Sequence, residues 1–175
     1  RVLLEIGDII DPDDDVVMVY LSGNSGPDHT LTAVNPPLEL AALSPQGLKQ
    51  LFDAAGIRWR IVVVSTCEAG TWIDALKDDE TVVIASSAAG VRGADCAGGL
   101  RPGVFADAFF GAAMRRADDL PAAFDAARKR LAEQHAAEPV MFVGASIAEQ
   151  LKALRQRGKG RVVASFDARS DGRRQ

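Results

Sequence analysis

Histidine and cysteine are scarce in this sequence. There are two of each: His29 and His135, Cys67 and Cys96. Neither pair has the spacing of a metal site, so no metal and no other cofactor is expected. Two cysteines do not make a disulfide framework; they form one bridge or remain two buried free thiols. No window approaches the ~18 consecutive apolar residues of a membrane span. No signal peptide is visible, so a soluble domain is expected, of unassigned compartment. There is no excess of positive charge either. The net charge of -4 excludes a general binder of nucleic acid or of anionic membranes. A phosphate-cradling loop is also missing. The stretch from Ser22 to His29 carries glycines but no Gly-Lys-Ser/Thr, and Pro27 stands where a helix would have to open. Internal repeats are absent.

What is present is an ordinary globular composition, 47% hydrophobic and 25% charged over 175 residues. That length predicts one domain with a real core. The chain is organised around residues 61–70. There Ile61, Val62, Val63 and Val64 run unbroken into Ser65-Thr66-Cys67-Glu68-Ala69-Gly70. An apolar β-branched run without alternation fits a strand covered on both faces, as in a parallel sheet. The carboxyl end of such a strand is where open α/β sheets place their chemistry, so Cys67 is a candidate nucleophile.

The remaining pattern alternates strand and helix. Residues 1–10 read as a short amphipathic helix, entered directly at Arg1, which suggests a piece of something longer. The acidic run from Asp11 to Asp15 is a solvated turn. Residues 16–21 read as a buried strand, and 31–34 as a short hairpin arm. Ser44 caps a helix to about Ala55, with Pro45 at its first position, Gly56 at its end, and Leu48, Leu51, Phe52 and Ala55 on one face. Residues 71–76 make one or two helical turns, and 81–86 a third strand. The glycine-rich stretch 87–103 is long enough to be functional. Residues 105–117 predict a helix burying Phe109, Phe110, Ala113 and Met114. Asp119 caps a helix to about Ala137, whose Arg128-Lys129-Arg130 cluster faces solvent. Residues 139–144 are a short strand, and Ser146 caps a helix to about Arg157. The domain thus covers 1–158. The polar, arginine-rich tail 159–175 is expected to be partly disordered, with Val162-Val163 reading as an edge strand. The fold class is α/β, in three layers.

Taken together, Val16 to Leu21, the loop with Asp28-His29, Arg58-Trp59-Arg60 leading into residues 61–70, and Ile73 to Leu76 resemble the bacterial branch of the legumain-type cysteine peptidases. The resemblance continues through Cys96, residues 105–110 and residues 140–144. It implies a caspase-like three-layer sandwich with a mostly parallel central sheet. It also implies peptide-bond hydrolysis through a thioester on Cys67, and a peptide or protein as the partner. In that family a histidine activates the thiol, because a free thiol with pKa ~8.5 is mostly unionised at neutral pH. The family's histidine-glycine pair falls on Asn24-Ser25 here. The oxyanion hole then comes from the main-chain N–H groups of Ser25 and Cys67. Ser86, Ser87, Gly98 and Gly99 occupy the substrate-binding positions, where the family's charged residues are replaced by neutral ones.

Asparagine cannot accept and return a proton near neutral pH, so Asn24 cannot be a general base. Three functions follow. The first is an impaired homologue that binds a peptide or protein. The second is an active endopeptidase in which His29 substitutes as base to Cys67, against the structural alternative that Asp28 simply holds His29 in its loop. The third is an unrelated flavodoxin-like α/β module with a structural cysteine. His135 reads as a surface residue. The family's sheet begins with strands upstream of Val16. The strand from Val16 is therefore expected to present an open edge, filled by a missing N-terminal segment, by a partner chain such as a second copy, or by a rearrangement.

Overall fold

The computed structural model describes residues 1–26, 28–32, 36–37, 41–93 and 103–157. Cys96, Gly98, Gly99 and the tail with Val162-Val163 lie outside the described residues, as do residues 33 and 34 of the hairpin arm expected at 31–34.

The middle of the sheet is the run singled out above. Strand β2 (Trp59–Ser65) is buried at every position. Its parallel neighbours are β1 (Val16–Ser22) and β3 (Thr81–Ala85), and β4 (Val140–Val143) pairs antiparallel with β3. The order is β1-β2-β3-β4. Because side chains alternate across a strand, the unbroken apolar run of β2 feeds two cores. Ile61 and Val63 join Val82, Ile84, Phe105, Phe109 and Leu131 on one face. Val62 and Val64 join Leu48, Phe52, Trp72 and Val83 on the other. This is the three-layer, mostly parallel α/β architecture expected.

Helix α1 (Val2–Gly7) and helix α2 (Pro45–Ala54) cover the second core. Ser44 Oγ accepts from Gly47 N–H, closing the start of α2, and Gly56 ends it at φ 64°, a conformation glycine adopts without cost. After β2 the chain makes a 3₁₀ turn (Ala69–Trp72) that passes into α3 (Ile73–Leu76). On the first core's side lie α4 (Val104–Ala106), a π-helical segment (Asp107–Ala113) and α5 (Leu120–Glu133), the last capped by Asp119 accepting from Ala122 N–H. Helix α6 (Ala145–Gln156) closes the described chain.

Three sequence expectations need correction. Leu51 and Met114 are 36% exposed, since their helices meet the core along narrower stripes than their periodicity implied. The segment expected as an α-helix from 105 is largely π-helical, which moves Met114 off the buried face. Helix α6 is capped by Gly144, not Ser146. A Cβ at Gly144 would run into the carbonyls of Asp78 and Asp79, so only glycine lets the chain turn there. Of the two readings left open for the cysteines, a bond is the one found: Cys67 is disulfide-bonded, and no free cysteine occurs among the described residues.

Candidate active site

The carboxyl ends of β1 and β2 converge, as the parallel pairing requires. Ser22 is level with Ser65, and Gly23 N–H donates to Ser65 O at 3.2 Å. The loops leaving these two strands therefore start side by side. One carries Asn24, the other Cys67. Asn24 Oδ1 lies 4.0 Å from Cys67 Sγ. The sulfur, held in a disulfide, carries no proton, so this is a contact and not a donated hydrogen bond. Two residues 43 positions apart are thus brought together at the mouth of the sheet.

The turn after β2 is packed tightly on the loop after β3. A Cβ on Gly70 would collide with backbone atoms of Ser87, Ala88 and Ala89. Glycine at that position is what allows the nucleophile turn to lie against the neighbouring loop. Gly93 N–H donates to Cys67 O at 2.8 Å, tying the far side of the same loop to the turn.

His29 lies in the same region. Its Nδ1 is 3.5 Å from Glu68 Oε2, beside Cys67 in sequence, and its carbonyl accepts from Trp72 Nε1 at 3.1 Å. The Nδ1 is buried without a well-formed hydrogen bond, so the carboxylate faces the ring as an ion-pair partner only when the ring is protonated. Asp28, expected to hold His29, is next to it and attracts it electrostatically, but its hydrogen bonds go to Thr30. Asp28 Oδ1 accepts from the Thr30 hydroxyl at 2.9 Å and from Thr30 N–H at 3.3 Å. The Thr30 hydroxyl, followed by its N–H, holds the Asp28 carboxyl below its ordinary value. Ser25 bridges to Leu31, which bridges in turn to Leu43. His135 is exposed, at φ 55° just past α5.

Beneath the turn lies a feature that sequence reading gave only in part. Thr66 Oγ1, Ser86 Oγ and Ser87 Oγ are buried without a hydrogen-bond partner among the described residues. They sit at the carboxyl ends of β2 and β3. Gly93 stands over the two serines: a Cβ there would lie 3.3 Å from Ser86 Oγ and 3.6 Å from Ser87 Oγ. Ser86 and Ser87 were candidates on sequence grounds; Thr66, Glu68 and Gly93 were not. The Glu68–His29 approach spans 39 positions and two loops, which no local pattern encodes. Among the described residues no group of three or more His, Cys, Asp or Glu side chains could hold a metal ion.

An α/β sheet with a cysteine turn at the end of its second parallel strand, facing the loop of the first, has the layout of a caspase-like peptidase domain. The sequence matches the Peptidase C13 family over residues 7–151. The chain belongs to that family, the legumain family of cysteine peptidases, and the unrelated flavodoxin-like reading is set aside. A comparison with curated proteins finds no significant match. No helix among the described residues is long and apolar enough to cross a membrane.

Proposed function

We propose that the chain is a legumain-type peptidase domain with an impaired hydrolytic step, acting by holding a peptide or protein segment at the cleft. The observation that carries this is Asn24 Oδ1 at 4.0 Å from Cys67 Sγ. The side chain that the β1 loop presents to the nucleophile position is a carboxamide, which neither takes up the thiol's proton nor returns it to a leaving amine. The disulfide at Cys67 supports the same reading, since a bonded sulfur offers no thiolate. Ligand binding is supported by the orphaned hydroxyls of Thr66, Ser86 and Ser87. A buried unsatisfied polar group costs about 1–3 kcal/mol, which a peptide amide or carbonyl would relieve. Gly98 and Gly99 join this proposed surface from sequence alone, and the N–H groups of Ser25 and Cys67 remain the proposed oxyanion donors.

One observation favours a second reading. Glu68 Oε2 lies 3.5 Å from Nδ1 of His29, the kind of carboxylate partner that orients the base of a Cys-His pair. The two readings part on labelling after reduction. The chain is reduced with dithiothreitol, desalted, and mixed with iodoacetamide and a fluorogenic peptide. Labelling of Cys67 at the rate of an ordinary cysteine, with no hydrolysis, is expected. Asn24→His with Ser25→Gly should then raise both by about 10²–10⁴-fold, the usual worth of a positioned base. Fast labelling of the unaltered chain, lost in His29→Ala, would replace the impaired reading by the active dyad. Binding is checked separately on a peptide array, where Ser86→Val should abolish the signal.

A further inference from the structure

The segment that leaves β3 doubles back over the site. Ser86 N–H donates to Val64 O at 2.9 Å, so the sheet is still paired there. From residue 88 the chain turns outward. Val91 N–H donates to Ala88 O at 3.1 Å, Gly90 takes φ 72°, and residues 89–92 are exposed. It comes back at Gly93, which is buried. A Cβ on Gly93 would lie 2.7 Å from Thr66 O, 3.3 Å from Ser86 Oγ and 3.6 Å from Ser87 Oγ. Residues 88–93 are therefore a strap whose far end is pressed onto two serine hydroxyls.

The closed strap is poorly satisfied. Ser86 and Ser87 are 1% and 0% exposed, and neither hydroxyl has a hydrogen-bond partner among the described residues. Two buried hydroxyls without partners oppose this arrangement more than one ordinary hydrogen bond favours it. The far end is fastened by Gly93 N–H donating to Cys67 O at 2.8 Å. The residue that accepts that bond is itself held covalently, since Cys67 is disulfide-bonded. A disulfide removes conformational freedom from the chain it closes, so it keeps the acceptor in place for the strap. Cys67 is half-buried at the mouth of the site and is not among the residues of either apolar core. The same half exposure leaves it within reach of a reductant.

We propose that the Cys67 disulfide is a redox latch that keeps residues 88–93 closed over Ser86 and Ser87, and that a dithiol reductant opens it. One thiolate of the reductant attacks the disulfide; the S–S bond breaks and a mixed disulfide forms. The second thiol of the reductant then closes on the first. The protein gains two electrons and two protons, its two sulfurs become thiols, and the dithiol leaves as a disulfide. With its acceptor freed, Gly93 lifts and the two hydroxyls open to the cleft. The latch thereby controls the peptide-binding surface proposed above; this consequence rests on that reading, and the motion does not.

Hydrogen exchange of the full chain, read by NMR at single amides with and without dithiothreitol, tests it. The Gly93 amide should be protected in the oxidised chain and exchange about tenfold faster or more after reduction. The Ser86 amide, bonded to the sheet, should keep its rate in both. Cys67→Ser should show the fast Gly93 rate from the start and not respond to dithiothreitol; the reduced unaltered chain keeps the test open if that variant does not fold. A Gly93 rate that reduction leaves unchanged would overturn the proposal. So would acceleration at Ser86 and across β3 together with Gly93, including outright unfolding on reduction, which would make the bond a staple of the whole fold. A peptide array separates the latch from the binding reading. Opening should bring a peptide signal that the oxidised chain lacks, and an equal signal in both states would overturn the latch as a control on binding. Opening with no signal in either state would sustain the latch and remove the peptide-binding reading instead.

Discussion

At the scale of single residues, Asp78 shows how this fold holds a carboxylate. It accepts from Lys49 Nζ at 3.0 Å, from the Thr81 hydroxyl at 2.6 Å and from Glu80 N–H at 3.1 Å. Partial burial alone pushes its carboxyl up. The Thr81 hydroxyl and then Lys49 outweigh that, and the result lies below the ordinary value. A folded value below the unfolded one stabilises the protein above the unfolded pKa of ~3.9 and ceases to do so as pH falls through the folded value. Asp78→Asn should therefore lose about 1–3 kcal/mol at pH 7 and less at pH 3, flattening the acid limb. Urea midpoints at the two pH values measure this; an equal loss at both would contradict the assignment. Asn24 is the residue-scale counterpart in the cleft. Its type could be read directly from the sequence, since aligning a histidine-glycine pair on Asn24-Ser25 needed no structure. Its nearness to Cys67 could not, because that depends on strand register.

At the scale of elements, the decisive unit is β2 with its turn. The run from Ile61 to Val64 announced a doubly covered strand, and burial at every position from Trp59 to Ser65 bears this out. The end of that strand shows what a sequence pattern leaves out. Gly70 could be read as a motif glycine, but its reason is the backbone of Ser87 to Ala89 lying where a Cβ would be. Gly70→Ala should cost about 2–4 kcal/mol, in the range of overpacked and strained sites, and should disturb the Cys67 turn. Thermal unfolding of the variant checks the first. A change in iodoacetamide labelling after reduction checks the second. A neutral substitution would mean the two loops can part. Periodicity failed in the segment after Gly103 for a related reason. A π-helical stretch from Asp107 to Ala113 rotates the face that 3.6-residue spacing assigns to Met114.

For the whole molecule, the sheet divides the apolar interior into two cores with one tryptophan in each. Trp59 belongs to the core with Phe105 and Leu131, and Trp72 to the core with Leu48 and Phe52. Since β2 and β3 contribute alternate side chains to both, neither core can dissolve without exposing the other. Trp59→Phe leaves Trp72 as the fluorophore, and Trp72→Phe leaves Trp59. In each variant the fluorescence transition in urea should coincide with its own far-ultraviolet circular dichroism, as for a two-state domain. Separate midpoints within one variant would show that the layers unfold independently.

The sequence by itself determined the layers, the order of strands and helices, the caps at Ser44 and Asp119, and the family. Each of these rests on local periodicity, on side-chain-to-backbone bonds a few residues long, or on the order of short motifs. Tertiary structure decided the rest. It put Asn24 against Cys67, brought His29 to Glu68, and bonded the sulfur of Cys67. It set the hydroxyls of Ser86 and Ser87 under Gly93, and sent α6 across the sheet to the foot of β1. All of these are contacts between loops or edges far apart in the chain. They are set by how parallel strands align, and no window of residues contains that information.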